Sequence, residues 1–469
     1  MVFNSLAFFV FLAICLVVYR ILPHRAQNLF LLAASYFFYG AWDWRFLGLI
    51  LLSTLVDWGV GLGLAATRDP TRRRWLVGAS IVTSLGLLGF FKYAGFFADS
   101  LARLLSLFGV TLTPLDLAIV LPVGISFYTF QTMSYVIDVY RGRIAPARDP
   151  LDFALFVAFF PQLVAGPIER AESLLTQILA PRTQTLEKFS TGAWLILWGL
   201  FKKVVIADNL GGLVEAVYSE GAQPTGLEVL MASWAFGIQV YCDFSGYSDI
   251  ARGTARWFGF ELMVNFRLPY FATNIGEFWT RWHISLSSWL RDYVYVPLGG
   301  NRRHRDRNLF LTLLLGGLWH GAGLTYVLWG AYHGAHVVLH RHLRPLTQRL
   351  APTGGAARQV WTLLCVIVNF QIVTLGWPLF RAPSIERSGQ LFWALFSNPA
   401  PGLVLDWCLP FAGLCAPLLL IQIAQWWSGD LEPVGRWPFP LRVLVFAAVA
   451  AGIVLFGEDF GEPFIYFQF

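Results

Sequence analysis

Residues 277–340 read EFWTRWHISLSSWLRDYVYVPLGGNRRHRDRNLFLTLLLGGLWHGAGLTYVLWGAYHGAHVVLH, and this stretch decides what kind of protein the chain is. His283 sits beside Arg281, Trp282, Ser285 and Ser287, in a segment too polar to face lipid. His320 closes the apolar run 309–319 and has Gly316, Gly317, Gly321 and Gly323 around it. An ionisable side chain at membrane depth is costly, so it faces a protein interior or a water-filled cavity and has work to do there. Between the two histidines, NRRHRDR at 301–307 sets Arg302, Arg303, Arg305 and Arg307 against Asp306. Such a loop must be solvated, and the positive-inside rule places it on the cytoplasmic side.

Composition extends this reading to the whole chain. Apolar residues make up 57% of 469 and charged residues 13%, about half the charged share of a soluble domain; mean hydropathy is +0.58. At about 20 apolar residues per crossing there is room for roughly a dozen spans. The 20 Trp, 16 Tyr and 41 Phe suit an aromatic-rich bundle with interfacial belts. The net charge of +6 is clustered in loops, so it carries topology and not nucleic-acid binding. Cys15, Cys242, Cys365, Cys408 and Cys415 are scattered through apolar sequence and read as small buried hydrophobes.

Apolar runs at 2–19, 28–44, 46–64, 75–91 and 96–110 read as the first spans, the first of them retained. The basic residues Arg20, His24 and Arg25, and later Arg68 and Arg72 to Arg74, then fall on one side. That side is cytoplasmic, which puts the N-terminus outside. After Pro114 the pattern breaks. Residues 117–140 hold Pro122, Gly124, Gln131 and Asp138, and 151–164 is too short for an easy crossing. Broken or re-entrant backbone at this depth is tolerated only inside protein or beside a cavity. Runs 189–206 and 227–240 read as spans, with Lys202 and Lys203 at the end of the first. Asp243 and Asp249 follow; they suit acid–base work, or cap helices and pair with Arg252, Arg256 or Arg281. Further runs lie at 309–319, 324–340, 360–379, 403–426 and 441–456. No repeat and no shift of composition divides the chain, so 1–469 reads as one domain. The fold class is an all-α polytopic membrane protein, with about eleven transmembrane helices plus re-entrant or broken ones around a central tunnel.

The chemistry centres on His320. A neutral imidazole accepts a proton from an attacking hydroxyl, and its ordinary pKa of about 6.5 suits that task. The alternative is a histidine satisfied by helix–helix hydrogen bonds, although the glycines around it point to space for a ligand. His283 can orient an acyl carbonyl or an acceptor, donate to an oxyanion, or be structural. Arg281, Arg291 and Asp292 read as ion pairs that hold the site, and Ser285 as a polar support. Trp282 and Trp319 read as packing. His333, His336 and His340 share a helix face at about 100° per residue. They lack an HExxH pattern or a carboxylate partner, so no metal is expected. No G-x-S-x-G elbow, Walker loop or dinucleotide fingerprint occurs, which argues against a serine hydrolase, ATP-driven pumping and redox chemistry.

The runs FWTRWHISLSSWLRDYVYVPLGGN (278–301) and LGGLWHGAGLTYVLWGAYHG (315–334) resemble the membrane-bound O-acyltransferase family. FFPQLVAGPIER (159–170) and VYCDFSGYSDIARG (240–253) extend the likeness, which covers about 117–345 and is closest to the bacterial alginate and polysaccharide O-acetyltransferase branch. The resemblance implies that His320 is the catalytic histidine and that His283 occupies the second polar position. It also implies transfer of acetyl groups from a cytoplasmic thioester, acetyl-CoA, across a bacterial inner membrane toward an extracellular polysaccharide such as alginate or cellulose. An extracytoplasmic acetyltransferase partner is implied as well; no bound cofactor is. The short loops and the missing serine elbow agree with such a relay. Arg302, Arg303, Arg305 and Arg307 would then draw in the donor's phosphates. Two alternatives stand beside this reading: D-alanyl transfer from a carrier protein to teichoic acid, and a transporter without chemistry.

Overall fold

The computed structural model describes residues 1–110, 119–164, 166–458 and 464–465, and every regular element among them is helical. Pro114, the first two residues of the irregular 117–140 stretch, and Ala165 of the 159–170 motif lie outside the described residues. The chain forms two compact units, one of residues 1–192 with 251–263, the other of 193–250 with 264–469.

The first unit starts with Leu6–Ile21, His24–Asp43, Leu47–Ala66 and Pro70–Leu88. Their starts follow from sequence. Ser5 accepts the Phe8 N–H, and Asp69 accepts the Thr71 N–H with Pro70 at the first helical position. Leu6, Val10, Ile14, Val17 and Ile21 form an exposed apolar stripe, as a lipid-facing helix requires. The broken middle is now explained. Ile125–Tyr140 is buried on nearly every face, including Gln131, Ser134 and Asp138. Gly124 enters it at φ +77°, and a Cβ there would meet the Leu163 carbonyl at 2.5 Å. Residues 151–164 fold as Pro150–Ala158, a sharp turn at Phe159, and Phe160–Leu163. Residues 152–164 are all buried. The Gln131 amide donates to the Phe156 carbonyl (2.7 Å) and Gln162 donates to both (3.0–3.1 Å), so the bent backbone is satisfied from within.

The run read as 189–206 is the helix Leu186–Leu200 opening into a π-helical turn, Phe201–Ala207. The run read as ending at 240 continues unbroken through its carboxylates as Gly226–Trp257. The reason is tertiary. The π turn aims Lys202 and Lys203 inward, where Lys203 meets Asp243 and Asp208 (2.8 Å each) and Lys202 meets Asp249 (2.7 Å) and Ser245 (2.8 Å). Lysines absent from the sequence-level pairing thus neutralise both aspartates. Then come Ile275–Arg281, Ile284–Leu290, Arg305–His320, Leu324–Leu350 and Gly355–Thr374, followed by outer apolar helices such as Val404–Ser428 and Phe439–Phe456. Cys408 is exposed on the Val404–Ser428 surface and Cys365 and Cys415 are half-buried, so only Cys15 and Cys242 behave as buried cysteines.

Among the described residues six helical segments are long and apolar enough to cross a membrane: His24–Ala66, Pro70–Ser106, Leu186–Tyr218, Gly355–Arg381, Val404–Ser428 and Phe439–Phe456. The first comprises two 20-residue helices joined by a 3-10 turn. Leu6–Ile21 is apolar but shorter. Hydropathy alone suggested about eleven spans; helices such as Gly226–Trp257 and Arg305–His320 are too polar or too short to join these six.

Candidate functional site

His320 is the last residue of Arg305–His320, which stops because Gly321 turns to extended backbone. The helix after it, Leu324–Leu350, folds back against it at very short range. A Cβ on Gly317 would lie 2.3 Å from the Tyr326 carbonyl oxygen, and one on Gly321 would lie 2.1 Å from the Tyr326 ring. These two glycines therefore serve close helix packing, where the sequence suggested room for a ligand. Gly316 alone of the four lines open space. His320 is held among the rings of Trp319 (5.1 Å between centroids), Trp329 (5.3 Å) and Phe380 (5.5 Å).

His283 lies in the left-handed region (φ +43°) at the start of Ile284–Leu290. That conformation costs on the order of 1–3 kcal/mol for a residue other than glycine. Asn265 holds it. Its backbone carbonyl accepts the Ile284 N–H (2.9 Å), and its side-chain Oδ1 accepts the Ser285 N–H (3.2 Å) and hydroxyl (2.9 Å). His283 Nδ1 also lies 3.2 Å from that oxygen. A backbone N–H can only donate, so the Asn265 atom is the oxygen and Nδ1 must carry the hydrogen. In the neutral ring Nε2 is then the acceptor. This favours an accepting or proton-taking His283 over the oxyanion donor read from sequence. Phe244 packs edge-on against the ring (4.6 Å), and the His320 ring is 6.4 Å away.

A cavity of about 1450 Å³ lies within the second unit, walled by Ile275–Arg281, Ile284–Leu290, Arg305–His320, Leu324–Leu350 and Gly355–Thr374. His320 is in its wall and His283 is not. Arg305, at the other end of the His320 helix, is also in the wall, about 22 Å along the axis at 1.5 Å per residue. Near Arg305 the wall gains Arg341 and Arg344. Arg341 and His342 pair with Asp306 and hold its carboxyl below the usual carboxylate range. The cavity is thus cationic at one end and carries an imidazole toward the other.

The remaining sequence candidates divide clearly. Arg281 pairs with Glu277, and Arg291, in the cavity wall, pairs with Asp292 (2.8 Å). Trp282 stacks on Phe278 (5.4 Å) and packs against Tyr270 and Trp377. Trp319 bridges the two histidines (5.9 Å to His283). Ser285 is buried beside Asn265. Asp243 binds Lys203 and accepts the Ile465 N–H (2.9 Å). Of the four basic-loop arginines only Arg305 lines this cavity; Arg302 and Arg303 are exposed, and Arg307 donates to Asn308 Oδ1 (3.1 Å). The loop is one turn shorter than read, because the helix begins at Arg305. His333 is fully buried against Trp279 and Trp329, while His336 and His340 reach the cavity. Among the described residues no three His, Cys, Asp or Glu side chains gather as a metal would require. Sequence reasoning missed Asn265, for which a lone Asn in VNFRLP gives no signal. It also missed the wall residues Trp279, Trp329 and Asn369.

The family model for the membrane-bound O-acyltransferases matches residues 147–374, which include both histidines. A probable alginate O-acetylase of Pseudomonas putida is 45% identical over 406 residues, 85% of this chain and 80% of the relative. A peptidoglycan O-acetyltransferase of Helicobacter pylori is 36% identical over 83% of this chain and 78% of its own length. A teichoic acid D-alanyltransferase of Streptococcus thermophilus is 28% identical, over 55% of this chain and 67% of the relative.

Proposed function

This chain belongs to the membrane-bound O-acyltransferase family, and from that premise we propose that it moves acetyl groups from a cytoplasmic thioester, acetyl-CoA, toward an extracellular polysaccharide. Membership makes it a multi-pass membrane O-acyltransferase and removes the transporter without chemistry. The acceptor pathway is that of an exopolysaccharide such as alginate or cellulose, in the inner membrane of a bacterium. The stronger likeness to O-acetylating relatives than to D-alanyl-transferring ones favours acetyl as the group carried.

The observation that carries the reading is His320 in the wall of a cavity whose other end is lined by arginines. The cationic end suits a phosphate-bearing donor. At the His320 end the imidazole takes the proton of an acceptor hydroxyl, whose oxygen attacks the thioester carbonyl carbon. The C–S bond breaks, the new ester C–O bond remains, and the proton passes from His320 to the departing thiolate. His283, fixed by Asn265, supports this exchange from 6.4 Å away.

The acceptor that reaches His320 directly is small, so an extracytoplasmic acetyltransferase partner receives the acetyl group and delivers it to the polymer. Purified protein in liposomes, with acetyl-CoA enclosed and polymer outside, tests both halves. Thiol release with polymer acetylation only after the partner is added is the expected result. Acetylated polymer without any second protein removes the relay. Turnover with a D-alanyl carrier protein and none with acetyl-CoA overturns the donor.

A further inference from the structure

Leu324–Leu350 carries exposed leucines from one end to the other: Leu324, Leu328, Leu339, Leu343, Leu346 and Leu350 are each 40–60% exposed. At 1.5 Å per residue they extend over about 39 Å, whereas the hydrocarbon of a bilayer is about 30 Å thick. An ordinary tilt of about 20° does not absorb the difference. One end of the helix therefore lies among lipid headgroups, and the charges identify it. Residues 324–340 contain no Asp, Glu, Lys or Arg, while 341–350 contain Arg341, Arg344 and Arg349. The end at Leu350 is the one at headgroup depth.

The last turns are two-sided. At 100° per residue Leu339, Leu343, Leu346 and Leu350 fall within about 60° of one another. Arg349 lies about 90° to one side of that stripe and Arg344 about 130° to the other, and such long side chains bend along apolar surface to bring their heads to phosphate level. Neither arginine pairs with a carboxylate among the described residues. Asp306 is the single carboxylate in 301–307 and 340–350, and Arg341 and His342 already share it. These two segments set seven arginines against that one carboxylate, a surplus equal to the net charge of +6 of the whole chain. Arg302 and Arg303, exposed in the turn before Asp306, strengthen the same positive field. A stripe continuous with the outer leucines of its own helix is covered by acyl chains, and the unneutralised arginines beside it select lipids with negative heads.

We propose that the last turns of Leu324–Leu350 seat an anionic phospholipid, with Leu346 and Leu350 against its acyl chains and Arg344 and Arg349 on its phosphate. The seat is separate from the cavity, because Leu346, Arg349 and Leu350 do not line it. It ties the helix that follows His320 to the charge of the surrounding membrane, whichever acyl group the protein moves.

The test measures lipid retained by the purified protein in detergent, by native mass spectrometry, in titrations with phosphatidylglycerol and with phosphatidylcholine. Wild type should prefer phosphatidylglycerol. Arg349→Gln should weaken that preference about 5-fold, the weight of one arginine at a membrane surface, and Arg349→Lys should keep it. Leu346→Gln combined with Leu350→Gln should weaken retention of both lipids. Equal retention of the two lipids by wild type, or a preference undiminished in Arg349→Gln, overturns the seat. Coenzyme A in excess separates the two sources of phosphate. Lipid that stays bound supports a seat outside the cavity, and lipid displaced by coenzyme A would put the anion site at the cavity mouth and overturn the proposal.

Discussion

The rings of His283 and His320 stand 6.4 Å apart, centroid to centroid, although a basic loop and a whole helix separate them in the chain. His320 faces the cavity and His283 backs it, so the two are not equivalent. Replacing His320 by Ala removes the group that takes the hydroxyl proton and should lower acetyl transfer by about 100- to 10,000-fold. Acetylation at matched membrane abundance checks this. Near-normal activity in the variant refutes the assignment.

Asn265 supports the site without reaching the cavity wall. Its Oδ1 accepts from Ser285 and His283 together, so Asn265→Leu strands several buried donors at once. Asn265→Asp keeps the acceptor, loses the donation to Ser248 and adds a buried carboxyl beside the His283 ring. Activity should therefore fall in the order wild type, Asp, Leu. Equal activity of the Asp and Leu variants would show that the oxygen does not set the His283 ring.

At Gly317 the neighbour a Cβ would strike is backbone, which cannot swing aside. Gly317→Ala should destabilise the protein by about 1–3 kcal/mol, the range for an overpacked core. Thermal unfolding in detergent is the measure. Gly78, where an added methyl would meet nothing within 4 Å, is the control: Gly78→Ala should leave Tm unchanged or raise it. An unaltered Tm for Gly317→Ala would mean the two helices do not pack this closely.

The exposed turn before Arg305 reports topology. With Cys408 changed to Ser, because it is the exposed native thiol, a single Cys at His304 should resist an impermeant reagent in intact cells. It should react once the membrane is opened. Labelling from outside would place the arginine-lined end of the cavity on the outer face.

The two histidines were legible because an ionisable residue in apolar sequence is conspicuous whatever surrounds it. The irregular middle was legible too, since Pro122, Gly124 and Gln131 cannot lie on a lipid-facing helix; the Gln131–Gln162 pair shows how they are satisfied. What stayed hidden was set by contact between distant positions. Asn265 lies in ordinary loop sequence and gains its meaning only when the chain brings it under His283. The aspartates at 243 and 249 looked like the end of a span because nothing local marks Lys202 and Lys203 as their partners. The glycines near His320 gave the opposite difficulty. A small residue signals either open space or close approach, and only the position of Tyr326 decides between them.

Those lysine–aspartate pairs also constrain how the protein is made. As Phe201–Ala207 leaves the ribosome, Lys202 and Lys203 are two charges on an apolar segment whose counter-charges, apart from Asp208, are not yet synthesised. Released to lipid at that moment, the segment would carry uncompensated cations into hydrocarbon. Gly226–Trp257 is no better alone, since it brings Asp243 and Asp249. Each becomes compatible with the bilayer only as its charges meet those of the other. The two helices therefore reach their lowest free energy in the membrane as a neutralised pair, not one at a time.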